Sequence, residues 1–321
     1  MRILVTGATG QIGSELTLEL RRHHRDDVVA AGHRRPAADK LAASGPFVRL
    51  DVTDRAALER VVREHRIEAI YHLAAVLSAT GEQDPPRAWE VNVNGLYNVL
   101  EIARHRGLAQ VFYPSSIAVF GPRTPRDATP QDTILSPTTI YGVTKVAGEL
   151  LCDYYARRYG LDVRGLRYPG IISSETPPGG GTTDYAVEIF YAAVEKRSYT
   201  CFVREDTALP MMFMPDCLRA AIELMAAPNG NLRYRTYNIT AMSFTAGEVA
   251  AEIRKHIPEF RVRYQPDFRQ EIADSWPRSI DDSAARSDWG WKPVYGLKET
   301  TAEMLRALGE RQAAGCLYPS G

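Results

Sequence analysis

Tyr141 and Lys145 stand four residues apart in a helix-patterned segment that runs to Tyr159, so their side chains leave the same face of one helix. That spacing answers a chemical need. A free phenol, with a pKa of about 10, is a poor base at neutral pH, whereas an ammonium group beside it stabilises the phenolate and lowers that value. Tyr141 can then take the proton of a secondary alcohol while the neighbouring carbon gives hydride to a nicotinamide, and Lys145 is free to hold the nicotinamide ribose. The pair alone is a common accident of sequence; its position after a fifth strand makes it informative. At the end of that strand Tyr113-Pro114-Ser115-Ser116 supplies two serines. Ser116 is expected to orient the reacting oxygen, and Ser115 to be a structural residue of the strand end. Asn92, in Asn92-Val93-Asn94-Gly95, is expected either to hold backbone or a water beside Lys145, or to be a structural asparagine inside a helix.

A second set of residues suits a phosphate. The first apolar run leads into Gly7-Ala8-Thr9-Gly10-Gln11-Ile12-Gly13. Gly7 permits a tight turn, Gly10 lets backbone approach a pyrophosphate, and Gly13 lets the helix opened by Gln11 and Ile12 pack closely on the strand. Asp51 and Val52 close the third strand, where an adenine would lie; helix capping by the Asp51 to Asp54 cluster is the alternative. At the end of the second strand, an acidic residue would select NAD and an arginine would accept the extra phosphate of NADP. The chain reads Gly32-His33-Arg34-Arg35 there, without a carboxylate. NAD is the expected cofactor, with NADP left open and Arg34 the candidate contact.

These residues need a scaffold. Short apolar runs at 3–5, 28–31, 47–50, 69–73, 111–113 and 163–166 alternate with amphipathic stretches at 11–23, 54–65, 88–105 and 141–159. The order predicts an α/β fold: a doubly wound, parallel Rossmann-type sheet with a smaller C-terminal substrate lobe. Residues 1–171 are expected to form the dinucleotide-binding domain, rejoined by 209–243; residues 172–208 and 244–321 form the lobe. The Pro- and Gly-rich stretch 176–181 marks the change.

Bulk properties narrow the partners. Lysine plus arginine equals aspartate plus glutamate, 39 each in 321 residues, so nothing electrostatic recommends nucleic acid or an anionic membrane. A small molecule is the expected partner. Cys152, Cys201, Cys217 and Cys316 lack the spacing of zinc sites or disulfide scaffolds and are expected to be reduced thiols. With no apolar targeting segment at the N terminus, the expected compartment is the cytoplasm. The seven histidines do not pair with cysteines or carboxylates at ligand spacing, so no metal site is expected, and His72 reads as a satisfied buried imidazole.

Together the glycine loop, the serine and the Tyr-x-x-x-Lys pair resemble the extended short-chain dehydrogenase/reductase family over nearly the whole chain. The strings Pro178-Gly179-Gly180-Gly181-Thr182-Thr183-Asp184-Tyr185-Ala186, Leu209-Pro210-Met211-Met212-Phe213 and Ile272-Ala273-Asp274-Ser275-Trp276-Pro277 resemble a branch that oxidises the β-hydroxyl of L-threonine with NAD. The resemblance implies 2-amino-3-ketobutyrate as product and a homodimer as the assembly. It also implies cofactor contacts from Leu73, Ala74, Ala75, Tyr168 and Pro169, and substrate contacts from Ser78, Ser116, Tyr141, Gly179, Thr182, Thr183, Asp184 and Trp276. Chemically, Ser78 at the end of the fourth strand and the Thr182 to Asp184 loop hold the groups that a carboxylate and an ammonium require. Capping of the following helix by Thr182 or Thr183 is compatible with that role. Trp276 and Met212 suit either a water shield or plain core. Gly32 departs from the branch, which carries aspartate there. The competing readings are a nucleotide-sugar epimerase or dehydratase, which needs a basic set for a second diphosphate, and a cofactor sensor, which needs neither Tyr141 nor Lys145.

Overall fold

A computed structural model of the chain describes residues 1–24, 27–176, 179 and 181–318. Twelve strands occur among them: β1 Ile3–Thr6, β2 Val28–Gly32, β3 Phe47–Arg49, β4 Ala69–His72, β5 Gln110–Ser116, β6 Val163–Tyr168, β7 Gly170–Ile172, β8 Ser198–Cys201, β9 Ala208–Phe213, β10 Thr236–Asn238, β11 Met242–Thr245 and β12 Arg261–Tyr264. Seven form the main sheet, in the order β10-β6-β5-β4-β1-β2-β3. β1 lies between β2 and β4, with Thr6 opposite both Ala31 and His72, and these neighbours run parallel. The order reverses between β1 and β4, which creates the crevice at the carboxyl edge where open α/β sheets bind ligands.

The chain forms two compact units, residues 1–119, 139–167 and 218–237 in one and 120–138, 168–217 and 238–321 in the other. Relative to the boundaries read from the sequence, 120–138 falls in the second unit, as do 168–171, 209–217 and 238–243. Strands buried on both faces explain the unbroken apolar runs of the first unit: β1, β2 and β4 are buried at every position. Leu4, Val29, Ile70 and Val111 pack there with Leu58, Leu96, Val99 and Leu100 from the crossover helices.

The helix Ile140–Tyr159 carries the tyrosine and lysine. It starts because Thr139 accepts a hydrogen bond from the Gly142 amide, and it ends at Gly160, whose φ of 69° suits a residue without Cβ. The crossover expected at 88–105 is not a plain helix. It opens as α-helix at Pro85–Trp89, widens to a π-turn at Glu90–Asn94 and resumes as α-helix at Gly95–Arg106.

In the second unit, β7, β9 and β11 make a small mixed sheet and β8 pairs with β12 in parallel. The helices Tyr185–Glu195, Ala246–Arg254 and Leu297–Ala313 pack on one another beside them. None of these small sheets was expected from the sequence. No helix among the described residues is long and apolar enough to cross a membrane.

Candidate active site

The glycine loop leaves β1 at Thr6 and enters the helix Gln11–His24. Gly7 has φ of 69°, and a Cβ on it would lie 2.6 Å from the backbone of Leu73 and Ala74, so the turn sits directly on the end of β4. A Cβ on Gly13 would lie 2.2 Å from the Gly7 carbonyl oxygen. Gly10 closes the turn by donating its amide to Gly7 O at 2.9 Å, and the Ala8 amide ties the loop to Ala31 O. Gly7 and Gly13 are thus required by close backbone approach, and the turn they make ends in the amides of Gln11 and Ile12 at a helix N terminus. This is the donor set a dinucleotide pyrophosphate needs, and the residues fit the group. Leu73 donates its amide to Thr6 O, which holds the β4 end beside the turn with Ala74 and Ala75 following.

Ser116, Tyr141 and Lys145 meet beyond β5. Ser116 lies beside the Tyr141 phenol, close enough to bear on its protonation. Lys145 lies beneath, its Nζ 5.5 Å from the centre of the Tyr141 ring and 4.8 Å from that of Tyr113, and it donates to Pro114 O at 2.6 Å. The charge states differ from the sequence-based expectation. Burial pushes the Tyr141 phenol up to about 12, and the group that opposes this is Ser116 rather than Lys145. Burial also brings the Lys145 ammonium down to about 8, with Cys152 and the Glu149 carboxylate opposing the fall. The lysine remains mostly charged at neutral pH while the phenol keeps its proton, because desolvation outweighs the attraction of an ammonium held 5.5 Å from the ring centre.

A buried network that the sequence did not reveal supports this trio. Ser115 donates to Glu149 Oε1 at 2.5 Å, and Arg167 Nη2 pairs with Glu149 Oε2 at 2.8 Å. Glu149 follows Lys145 by one further helical step, so the repeat Tyr141, Lys145, Glu149 was the available signal. The structural role expected of Ser115 is what the geometry gives. Asn92, buried in the π-turn, accepts from the Val76 amide at 2.7 Å and donates to Val76 O and Thr144 Oγ1, both at 3.0 Å. It holds backbone and the helix residue next to Lys145. His72 shares a hydrogen bond with Thr6 at 2.9 Å, and its complete burial lowers its pKa to about 3, so it is a neutral, satisfied imidazole.

At the adenosine end, Asp54 rather than Asp51 caps a helix, accepting from Ala57 N. Asp51 Oδ1 accepts from the Thr53 amide and hydroxyl, and Oδ2 lies 3.4 Å from His33 Nδ1 and 3.8 Å from Arg87. Val52 is buried, with its carbonyl accepting from Asn98. Arg34 is exposed.

Several substrate-side expectations are corrected. Ser78 does not end β4; it is the buried first residue of a short helix, Ser78–Gln83. The helix Tyr185–Glu195 is preceded by Asp184 with no side-chain cap, so neither Thr182 nor Thr183 caps it. Asp184 instead accepts the Gly181 amide at 2.7 Å. Thr182 is buried, Thr183 half-buried and Gly179 exposed, while Pro178 and Gly180 lie outside the described residues. Tyr168 ends β6 with its hydroxyl donated to Cys217 O, and Pro169 is buried beside it. Trp276 and Met212 are buried core residues, and the Trp276 carbonyl accepts from Arg126. The four cysteines are unbonded to one another, and no cluster of three metal-ligating side chains occurs among the described residues.

Residues 3–240 match the family described as NAD dependent epimerase/dehydratase. The mitochondrial L-threonine 3-dehydrogenase of Bos taurus is 50% identical over 310 residues, 96% of this chain and 83% of the bovine protein. Among solved structures, the holo form of an L-threonine dehydrogenase from Cupriavidus necator superposes with a TM-score of 0.93 at 55% identity, covering 96% of this chain and all of that one. A monomeric L-threonine 3-dehydrogenase from a metagenome, in its apo form, gives 0.92 at 49% identity, covering 96% and 99%.

Proposed function

This chain belongs to the NAD dependent epimerase/dehydratase family, and on that premise we propose that it oxidises the β-hydroxyl of L-threonine to 2-amino-3-ketobutyrate. The observation that carries the reading is Ser116 and Tyr141 side by side with the Lys145 ammonium 5.5 Å from the Tyr141 ring centre, at the carboxyl edge of a sheet whose first turn is a close-packed glycine loop. Relatives of about 50% identity that carry the dehydrogenase name support the substrate.

The residues divide the work. Gly7, Gly10, Gln11, Ile12 and Gly13 hold the pyrophosphate, and Asp51 and Val52 border the adenine. Leu73, Ala74, Ala75, Tyr168 and Pro169 are assigned to the walls around the dinucleotide. The cofactor, NAD in the family's usage, supplies a hydride acceptor and, when oxidised, a positive ring. Ser116 orients the substrate hydroxyl. Tyr141 takes its proton as the C–H bond of the same carbon gives up hydride, leaving the ketone. Its resting pKa near 12 must fall for this; Ser116 acts in that direction, and the positive charge of a bound oxidised cofactor would add to it. For the substrate's carboxylate the reading draws on Ser78, Thr182 and Thr183, and for its ammonium on Asp184.

Two further assignments belong to this reading. A homodimer is supported by the second apolar stripe of the helix Ile140–Tyr159: Val143, Leu150 and Tyr154 are exposed, as is Tyr97 on the neighbouring crossover. A cytoplasmic location is supported by four cysteines that form no disulfide with one another.

The test is an assay of the purified protein with L-threonine and either NAD or NADP, read as absorbance of reduced nicotinamide, with nucleotide sugars as a control. Reduction with L-threonine and none with the sugars is expected. Silence with L-threonine would refute the assignment.

A further inference from the structure

We infer that the adenosine end of this site is built to take a ribose 2′-phosphate, so that NADP binds at least as tightly as NAD. The inference rests on the dehydrogenase reading only in taking the glycine loop as a dinucleotide site. Its first support is Gly32, the last residue of β2. A carboxylate there would accept the ribose hydroxyls and repel a phosphate; without it, the repulsion is gone. The place has been filled from elsewhere. A Cβ on residue 32 would lie 2.7 Å from Thr9 Cγ2 and 3.0 Å from the Phe47 ring, so the surroundings are shaped around a residue with no side chain.

The second support is the charge around that glycine. Arg49 is the register partner of Gly32 across the parallel β2–β3 pair. Register partners in adjacent strands share a face, and Arg49 also shares its face with Phe47, two residues earlier, whose ring reaches the space over Gly32. Arg34 and Arg35 follow at once in the chain. All three arginines are exposed, and none has a carboxylate partner among the described residues. Asp51, which closes the same edge, is already engaged by Thr53, His33 and Arg87. Three unpaired guanidinium groups around a side-chain-free strand end match a dianionic phosphate, which arginine binds through paired, charge-assisted hydrogen bonds. A ribose diol offers them no such partner.

The experiment is equilibrium binding by titration calorimetry, with 2′,5′-ADP and 5′-ADP as fragments and NADP and NAD as whole cofactors. Binding of 2′,5′-ADP about tenfold or more tighter than 5′-ADP is expected, with the advantage shrinking as salt rises. Arg34→Ala, Arg35→Ala and Arg49→Ala should together erase the preference while leaving 5′-ADP affinity within a few-fold. Gly32→Asp alone would collide with Thr9, so the informative reversal is Thr9→Ala with Gly32→Asp, which should turn the preference toward NAD. Equal or weaker binding of 2′,5′-ADP than 5′-ADP by the natural chain would overturn the inference, whatever the variants do. If NAD binds and supports L-threonine oxidation under those conditions, the proposed function survives that failure. If none of the four nucleotides binds, both fall.

Discussion

At the scale of single residues, the site is governed by a contest between burial and charge. Tyr141 sits at about 12 and Lys145 at about 8, so both are shifted toward their neutral forms. Tyr141→Phe removes the only atom able to take the substrate proton in the proposed mechanism. Turnover should fall by about 10²–10⁴, while the dinucleotide Kd, measured by fluorescence titration, stays within a few-fold. An active Phe variant would dismiss Tyr141 as base. Ser116→Ala deletes the hydroxyl that opposes the effect of burial on the phenol. The alkaline rise of kcat/KM should therefore move to higher pH, with activity at pH 7 reduced about tenfold or more. A pH profile that keeps its position would show that Ser116 does not act on Tyr141.

At the scale of elements, one helix brings these groups to one place and leaves little room around them. Along Ile140–Tyr159 one face carries Tyr141, Lys145, Gly148, Glu149 and Cys152, and a Cβ on Gly148 would lie 2.1 Å from Tyr113 Oη. Gly148→Ala gains about 1 kcal/mol of helix propensity, but it forces apart a strand and a helix that are already in contact, at a cost of about 1–3 kcal/mol. A net loss in urea-denaturation midpoint is expected. Tyr113→Phe should by itself be neutral or stabilising, because the Tyr113 hydroxyl is buried with no hydrogen-bond partner. Added to Gly148→Ala, it should recover part of the loss. If the two changes prove strictly additive, that contact is not what excludes a side chain at 148. The π-turn Glu90–Asn94 belongs to the same scale: it sets Asn92 facing both Val76 and Thr144, a placement the straight helix expected there would not specify.

At the scale of the whole molecule, acid should destabilise the protein through its sheet. His72 is neutral in the fold with a pKa near 3, and in the unfolded chain it returns to about 6.5. Below pH 6.5 the unfolded state therefore binds the extra proton, and stability is lost as pH falls from 6.5 toward 3. The slope is at most about 1.4 kcal/mol per pH unit from this group. Urea midpoints of the natural chain and of His72→Asn, compared between pH 7 and 4.5, should diverge by that slope; parallel curves would discount the histidine. Assembly is the other property of this scale. Light scattering should give a dimer mass for the natural chain and a monomer for Leu150→Glu, whereas a monomeric natural chain would group it with the monomeric relative.

The sequence by itself determined whatever depends on neighbours within a few positions. Glycine spacing at 7, 10 and 13, the four-residue step from Tyr141 to Lys145, and the alternation of apolar runs with amphipathic stretches specify a turn, a helix face and a parallel sheet, because backbone geometry repeats with fixed periods. The tertiary structure decided what depends on distant partners and on the dielectric they create. Glu149 met Ser115 and Arg167 across two strands, Asn92 reached Val76 through a widened turn, and Asp184 turned back on Gly181 rather than leaving the cap to Thr182 or Thr183. The protonation of Tyr141 was beyond local reading for the same reason. Desolvation is a sum over every atom packed around the phenol, and no spacing in the chain encodes that sum.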